Sequence, residues 1–365
     1  MDLWTVQDIK DPDFITEAYI AAAEALVDND FLTLFDKPSN VDSDKATVRI
    51  LSAEKRPARL NKKGSQARTL DVRGIAEKSF FPYHSFDEIT LNMAPMEFMQ
   101  QDSSIAIDEM GRGEIARQLE DFGKRHRMMR AVTLAKTLTD GIVYIGPEGE
   151  IYEGSTGAAY SVDLGVSAAH KTQLDDGSGD IIGTAWDDAS AKILTDLDQI
   201  VQRAEAENLP RPRHVFLNHE AKKWFRDNTE LQGYFQNNET RVERFLSGDI
   251  NDINGFTFHF INATYQSEDP NASTTNVSFV PAAKALITPE PGPWLRAMNH
   301  PQAVPTASGV FGDINSLMGN FKKKFGPFAF TSLSINPPAV QLFMGDNWFF
   351  GLAEPDAVWI PTVDF

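Results

Sequence analysis

A long amphipathic pattern over residues 104–140 is the feature that most constrains the fold. Apolar side chains recur at helical spacing from Ile115 to Leu138. The preceding Asp102-Ser103-Ser104 favours a helix N-terminus, and Asp140-Gly141 favours a helix end. At about 1.5 Å per residue, such a helix spans roughly 50 Å. Because this is longer than most helices of globular domains, we predict that it acts as a strut.

The composition is that of an ordinary globular protein. With 365 residues, the chain is long enough for two structural units. Hydrophobic residues make up 42% of the chain and charged residues 24%, which are typical shares for a soluble domain. The absence of cysteine excludes disulfides, thiolate nucleophiles and cysteine-based zinc sites.

The sequence shows neither a membrane-spanning segment nor a signal peptide. No apolar run approaches the roughly 18 residues of a membrane-spanning helix. The first residues are acidic and lack the basic and apolar regions of a signal peptide. We therefore expect no membrane partner, and we expect the protein to stay in the compartment where it is made.

The charge is distributed unevenly along the chain. The segment Lys45–Arg73 contains nine basic and two acidic residues and so carries +7. Because the formal charge of the whole chain is −18, the remaining residues together carry −25. This balance argues against a general nucleic-acid-binding protein, which needs a basic footprint. One basic segment on an acidic body instead indicates a partner, either nucleic acid or another copy of the chain.

Two N-terminal segments contain too few apolar residues to form a core of their own. Residues 1–44 are predicted to form an arm with helical spacing and an apolar stretch at 31–35. Residues 45–92 are predicted to form a long β-hairpin whose polar tip turns near Gly64. Such a hairpin is not stable in isolation. It is either a loose surface loop or a hairpin that becomes ordered on a neighbouring subunit.

The rest of the chain mixes helices and strands, and no internal repeat is visible. A helix is predicted over 187–208, and residues 289–313, rich in proline, glycine and small polar residues, are predicted to form a long loop. Predicted strands cover residues 141–146, 150–153, 160–164, 214–218, 256–261, 277–280, 328–350 and 358–363.

No motif supports catalysis, a metal or a cofactor. Gly111-Arg-Gly113 lacks the third glycine of a dinucleotide site and lies within a helical stretch. His214 and His219 are five residues apart and have no clear third ligand. The acidic pair Asp196 and Asp198 is of a kind that arises by chance among 52 carboxylates. We therefore expect no catalytic residue, no bound metal and no cofactor.

Several stretches, taken in order, resemble one known family. They are residues 31–35, the passage from Val162 to Trp186, residues 214–225, residues 340–344 and residues 354–359. The chain resembles the major capsid proteins of tailed bacteriophages, specifically the lambda-type coat protein (major capsid protein E) family. The order of segments carries this resemblance, because shell proteins have no catalytic signature.

The resemblance implies an α+β capsid fold with four parts. Residues 1–44 would be the arm and residues 45–92 the extended loop. A peripheral domain would comprise residues 93–184 and 326–365, with its spine helix at about 104–140. An axial domain would comprise residues 185–325.

The resemblance also implies a function and partners. The chain would self-assemble as hexamers and pentamers into an icosahedral head shell, with a decoration protein, a separate scaffold protein and a portal as further partners. DNA would be packaged inside without sequence-specific binding, and assembly would take place in the bacterial cytoplasm. The candidate inter-subunit contact residues are Arg56, Arg59, Lys62, Lys63, Arg68, Phe31 and Phe35.

Three different functions are also compatible with the sequence. An encapsulin-like compartment or a gene-transfer particle could share the same fold. A soluble hydrolase would use an acidic pair such as Asp196 and Asp198. A nucleic-acid-binding module would use the segment 45–73 and would bind DNA with a steep salt dependence.

Overall fold

The computed structural model describes most of the chain. The described residues are 13, 16–17, 19–21, 30–51, 75–91, 105–174, 179–236, 238–248, 252–272, 276–305, 321–335 and 338–364. The chain divides into two compact units by internal contacts. The first unit comprises residues 1–46, 80–131 and 297–350, and the second comprises residues 47–79, 132–296 and 351–365.

Helices and strands alternate irregularly, which confirms the predicted mixed architecture. The helices are α1 (Asp30–Phe35), α2 (Ile105–Thr139), α3 (Ile193–Glu207), α4 (Ala221–Asp227), α5 (Thr229–Tyr234) and α6 (Glu239–Ser247). The strands of the first half are β1 (Ser39–Asn40), β2 (Ala46–Leu51), β3 (Ile75–Phe80), β4 (Tyr83–Leu91), β5 (Ile142–Ile145), β6 (Ile151–Tyr152), β7 (Tyr160–Asp163) and β8 (Lys171–Thr172). The later strands are β9 (Pro212–Asn218), β10 (Asp252–Ile253), β11 (Phe256–Ile261), β12 (Thr264–Gln266), β13 (Asn276–Ser278), β14 (Leu286–Pro289), β15 (Leu295–Asn299), β16 (Pro301–Pro305), β17 (Phe321–Phe325), β18 (Phe328–Ile335), β19 (Pro338–Leu352) and β20 (Ile360–Pro361).

The long helix predicted over 104–140 is confirmed as α2. Every residue from 130 to 139 is buried, so this end of the helix lies inside the protein rather than along its surface. The helix ends before Gly141, whose φ of +67° lies in the left-handed region that favours glycine. A Cβ atom at this position would also lie 2.6 Å from a Val166 methyl group, so both backbone and space require glycine here.

Strand β19 is the centre of the sheet in the first unit. It pairs antiparallel with β18 on one side and with β4 on the other. Leu342 and Met344 are fully buried on one face of the strand. On the other face, the Phe343 ring stacks with those of Phe86 and Phe330. Phe328 stacks in turn with Phe86 and Phe330.

A second sheet, of order β10-β11-β9-β14, lies in the second unit. Strands β9 and β11 are parallel, and helices α4 to α6 form the crossover that such a pair requires. The core of this unit contains residues of the sheet and of helices α3 to α6. Phe225 meets Phe258 edge to face at a ring distance of 5.4 Å, and Phe245 does the same.

Two predictions of secondary structure are wrong in part. The helix expected from Asp187 begins only at Ile193, because the Asp188 carboxylate accepts hydrogen bonds from the backbone and hydroxyl of Ser190 and stabilises a turn. The long loop expected over 289–313 contains β15 and β16. Two prolines bound β16, and the strand nevertheless pairs antiparallel with β17, because proline is tolerated at the margins of a sheet.

The four-part division of the chain remains a prediction, since the two units above follow from contacts alone. None of the helices in the described ranges combines the length and apolar character needed to cross a lipid bilayer.

Candidate assembly surface

The foot of the predicted basic hairpin is a pair of strands. Strand β2 pairs with β3, as a hairpin requires at its base. Residues 52–74, which connect the two strands, lie outside the described residues. They include five of the candidate contact residues, namely Arg56, Arg59, Lys62, Lys63 and Arg68. The positions of these five side chains stay a prediction.

Aromatic stacking anchors the end of β3. The rings of Phe80 and Tyr83 both stack on Phe349, at centroid distances of 5.2 and 5.4 Å. Phe349 is fully buried. Between the two anchors, the Phe81 side chain is 78% exposed, and the Lys45 ammonium lies 6.0 Å from its ring centroid. The foot of the basic segment therefore presents an exposed ring beside a cation.

Sequence reasoning missed Phe81. A single exposed apolar side chain is common on monomeric proteins. The signal that would have found it is the sequence Phe80-Phe81-Pro82. Neighbouring residues of extended chain point to opposite sides, so only one of the two rings can enter the core. Because Phe81 adjoins the basic segment, we add it to the candidate contact residues.

The two aromatic candidates of the arm both lie in α1. The Phe35 side chain is only 4% exposed and packs within its own chain. The backbone of Phe31 is helical, and its side chain is not among the described atoms. A contact between Phe35 and a neighbouring subunit would require α1 to move, and the role of both residues in assembly stays a prediction.

A buried charge cluster follows directly after α1. Arg130 of α2 is 3% exposed, and its Nε lies 2.8 Å from Asp36 Oδ2. Its Nη1 donates to Asp346 Oδ2 at 3.0 Å, and its Nη2 donates to Asn299 Oδ1 at 2.9 Å. The guanidinium also lies 5.6 Å from the Phe350 ring centroid. One side chain thus connects the arm, α2, β15 and β19 within the first unit.

Both carboxylates contact the Arg130 guanidinium, and Asp36 has a second partner in Arg127, whose Nη1 lies 3.2 Å from Asp36 Oδ2. Burial raises the pKa of Asp346, although the charge of Arg130 opposes that rise. Burial acts to lower the pKa of Arg130, but Asp346 and Asp36 outweigh it and raise the pKa overall. Among the described atoms, Asp346 Oδ1 has no hydrogen-bond partner. Asp346 therefore depends on Arg130 for its ion pair, whereas Asp36 also has Arg127.

A second network of ion pairs and hydrogen bonds surrounds the C-terminal end of α2 in the second unit. Lys136 Nζ lies 2.7 Å from Glu153 Oε2 and 3.2 Å from Asp140 Oδ2. Lys284 Nζ reaches the other oxygen of Asp140 at 2.7 Å, and Tyr265 Oη donates to Glu153 Oε1 at 2.7 Å. Every charge in this group faces an opposite charge, as buried ions require. The network fixes the position of α2 and offers no open catalytic group.

Asp196 and Asp198, one of the acidic pairs in the sequence, are not brought together. Asp196 is 7% exposed, and its Oδ2 accepts a hydrogen bond from the Trp186 indole at 2.9 Å. The exposed Asp198 instead accepts from the Asn254 amide at 2.9 Å. One carboxylate thus points into the core and the other towards solvent, so the two do not face a common substrate position.

Burial raises the pKa of Asp196 to about 6 from its ordinary 3.8. Because the folded state disfavours the charged form, stability contributed by this group is present below about pH 4 and is lost as the pH rises through about 6. An asparagine side chain at this position would keep an oxygen that accepts from Trp186. We therefore expect Asp196→Asn to raise the free energy of unfolding at pH 7.5 by on the order of 1–2 kcal/mol. Urea unfolding at pH 7.5 and 3.5 measures this, and a gain that persists undiminished at pH 3.5 would contradict it.

His214 contacts a second histidine and a carboxylate. Its Nδ1 lies 3.1 Å from Nε2 of His259, and its Nε2 lies 3.1 Å from Glu290 Oε2. Burial, together with the neighbouring His214, lowers the pKa of His259 to about 4. Within the described ranges, no three histidine or acidic side chains are grouped so that they could hold a metal ion.

Comparison with known proteins identifies one matching family and several solved structures that are similar to this chain. A family model described as phage major capsid protein E matches residues 31–302. No curated protein matches the sequence significantly. Among solved structures, a protein assigned as the capsid protein of a prophage in Escherichia coli CFT073 is 11% identical, with a TM-score of 0.52 over 97% of this chain and 99% of that chain.

Two further structures are similar at lower scores. A phage-related protein from Bordetella bronchiseptica RB50 is 11% identical, with a TM-score of 0.49 over 97% of both chains. A virus-like particle protein from Pyrococcus furiosus is 10% identical, with a TM-score of 0.42 over 96% of this chain and 98% of that chain. The prophage protein is the one of the three whose likeness shows a shared fold.

Proposed function

Since this chain belongs to the phage major capsid protein E family, we propose that it builds the icosahedral head shell that encloses the double-stranded DNA of a tailed bacteriophage. Membership of this family makes the chain a shell-forming capsid protein and a component of the virion. The observation that carries the proposal is the family match over residues 31–302, which is most of the chain. The fold shared with the prophage protein supports it.

The principal partner is the chain itself, arranged as hexamers and pentamers. A separate scaffold protein, a portal and a decoration protein complete the set of proposed partners, and assembly takes place in the bacterial cytoplasm. We expect no catalytic role and no cofactor, since the family consists of structural capsid proteins.

The basic segment 45–73 is the proposed contact between subunits. Its charge of +7 is complementary to the −25 carried by the rest of the chain. The exposed ring of Phe81 and the Lys45 ammonium at its foot support a contact there. An exposed ion pair contributes only about 0–1 kcal/mol. Repeated around a closed shell, many such pairs act together through multivalency.

The packaged DNA is held without sequence-specific contacts. An acidic protein attracts phosphate backbones weakly, which leaves the DNA free to slide during packaging and release. Loose retention is therefore the expected state inside the shell.

Isolated subunits distinguish a shell protein from a nucleic-acid-binding module. We expect them to bind mixed-sequence DNA no more tightly than a Kd of roughly 100 μM at physiological salt, because the net charge is −18. Fluorescence anisotropy over a series of salt concentrations measures the binding. Micromolar affinity that falls steeply with added salt would instead favour the segment 45–73 as a DNA-binding element.

An encapsulin-like compartment and a hydrolase have less support. The family match favours a phage head over a cellular compartment. The separate environments of Asp196 and Asp198 give a hydrolase no shared acidic site.

A further inference from the structure

Strand β18 ends the sheet of the first unit. In the strand order of the described residues, β1-β15-β19-β18, it is the terminal member and pairs with β19. A strand in such a position presents unpaired backbone groups, which are a template for pairing with another chain. This hazard is greatest for a protein that must reach high local concentrations of identical copies.

The arm covers this edge at one residue. The Thr16 hydroxyl donates to the carbonyl oxygen of Ala329 at 2.9 Å and accepts from the Ala329 amide at 3.1 Å. In an antiparallel sheet, the amide and carbonyl of one residue point to the same side of the strand. Thr16 therefore occupies the position that a further strand would take. Thr16 is 3% exposed and Ala329 is fully buried, so the contact excludes water.

Two further arm residues contact other parts of the first unit. Asp13 forms ion pairs with Lys324 and, at 3.0 Å, with Lys322, both on β17. Tyr19 is 1% exposed, and its hydroxyl forms a hydrogen bond with His126 Nδ1 of α2. The described arm residues here are helical.

The spacing of these three contact residues is also that of one helix face. Asp13, Thr16 and Tyr19 are three residues apart in sequence, and side chains at this spacing lie on the same side of a helix. A single short segment thus makes one backbone-capping contact, flanked by an exposed ionic contact and a buried hydrogen bond.

We propose that Thr16, held in place by Asp13 on β17 and Tyr19 on α2, forms a removable cover over the edge of β18 at Ala329. This cover prevents a second copy of the chain from pairing with that strand before it enters a shell. The ionic contact at Asp13 is exposed and therefore sensitive to salt, whereas the Thr16 and Tyr19 contacts are buried. The cover is held firmly at two points and loosely at one.

Thr16→Val tests the cover because valine keeps the shape of threonine and removes the hydroxyl. We expect the Ala329 amide to exchange its hydrogen at least tenfold faster in this variant. We also expect the variant to sediment as dimers and larger species at a concentration where the wild type is monomeric. Thr16→Ser keeps the hydroxyl and is the matched control, expected to behave as the wild type in both measurements.

Asp13→Lys tests the same cover without touching a buried group. The new ammonium repels Lys322 and Lys324, so we expect faster Ala329 exchange and self-association. Glu17→Lys, an equal charge change at an exposed position of the same segment, is expected to change neither. The proposal is overturned if Thr16→Val stays monomeric with wild-type exchange at Ala329. Self-association without faster exchange at Ala329 also overturns the proposal, since the copies would then pair through another surface. Equal behaviour of Asp13→Lys and Glu17→Lys overturns it as well.

Discussion

Replacing Arg130 with methionine is expected to lower the free energy of unfolding by about 3–5 kcal/mol. The substitution leaves Asp346 buried without the guanidinium that neutralises it and removes one of the two arginine partners of Asp36. Methionine supplies neither charge nor hydrogen bonds. The substitution also removes the donor to Asn299. Urea unfolding of the purified subunit at pH 7.5 measures the change.

Two further variants show how much of the destabilisation by Arg130→Met comes from the lost charge. Arg241→Met, at an exposed position, is expected to change stability by no more than about 0.5 kcal/mol. Adding Asp346→Asn to Arg130→Met is expected to restore part of the loss, because it removes the buried charge that lost its partner, while Asp36 keeps Arg127. A loss below about 1 kcal/mol for Arg130→Met would show that the cluster is not a major source of stability.

Reversing the charge of Arg56, Arg59, Lys62 and Lys63 to glutamate is expected to abolish shell formation while the subunits still fold. The change turns the segment from +7 to −1 and makes it repel the acidic remainder of the chain. Because a shell repeats each contact many times, a small loss per contact removes the whole assembly. Circular dichroism measures folding, and sedimentation measures assembly.

The matched control reverses four exposed cations outside the segment. Lys192, Arg211, Lys223 and Arg241 are all exposed, and changing them to glutamate alters the net charge by the same amount. Shells are expected from this variant. If both variants lose assembly equally, net charge rather than the segment 45–73 controls the process.

Secondary structure was predicted best where the spacing of apolar residues alone determines it. Helix α2 was placed to within a residue of its observed bounds, because its apolar spacing and its terminal signals agree. Strands β15 and β16 were missed, because prolines at 301 and 305 made the pattern look like a loop. Strand β17, the partner of β16, was not predicted either, so the sequence showed no strand with which β16 could pair.

For the candidate assembly surface, the sequence predicted only the distribution of charge. The excess of basic residues in 45–73 is visible in the sequence, whereas their contacts depend on a neighbouring copy. The cluster around Arg130 joins residues 94 and 216 positions apart, and no local pattern indicates that pairing. Burial of Phe35 was likewise not predictable, because an apolar arm residue packs equally well on its own chain or on a neighbour.

Electron microscopy of the wild-type chain and the four-residue charge-reversal variant, each expressed with the other head proteins of the phage, tests the central claim most directly. The account predicts closed shells from the wild type and only unassembled, folded subunits from the variant. Shells of normal size and number from the variant would contradict a contact through residues 45–73, and the absence of shells from the wild type would contradict the proposed function itself.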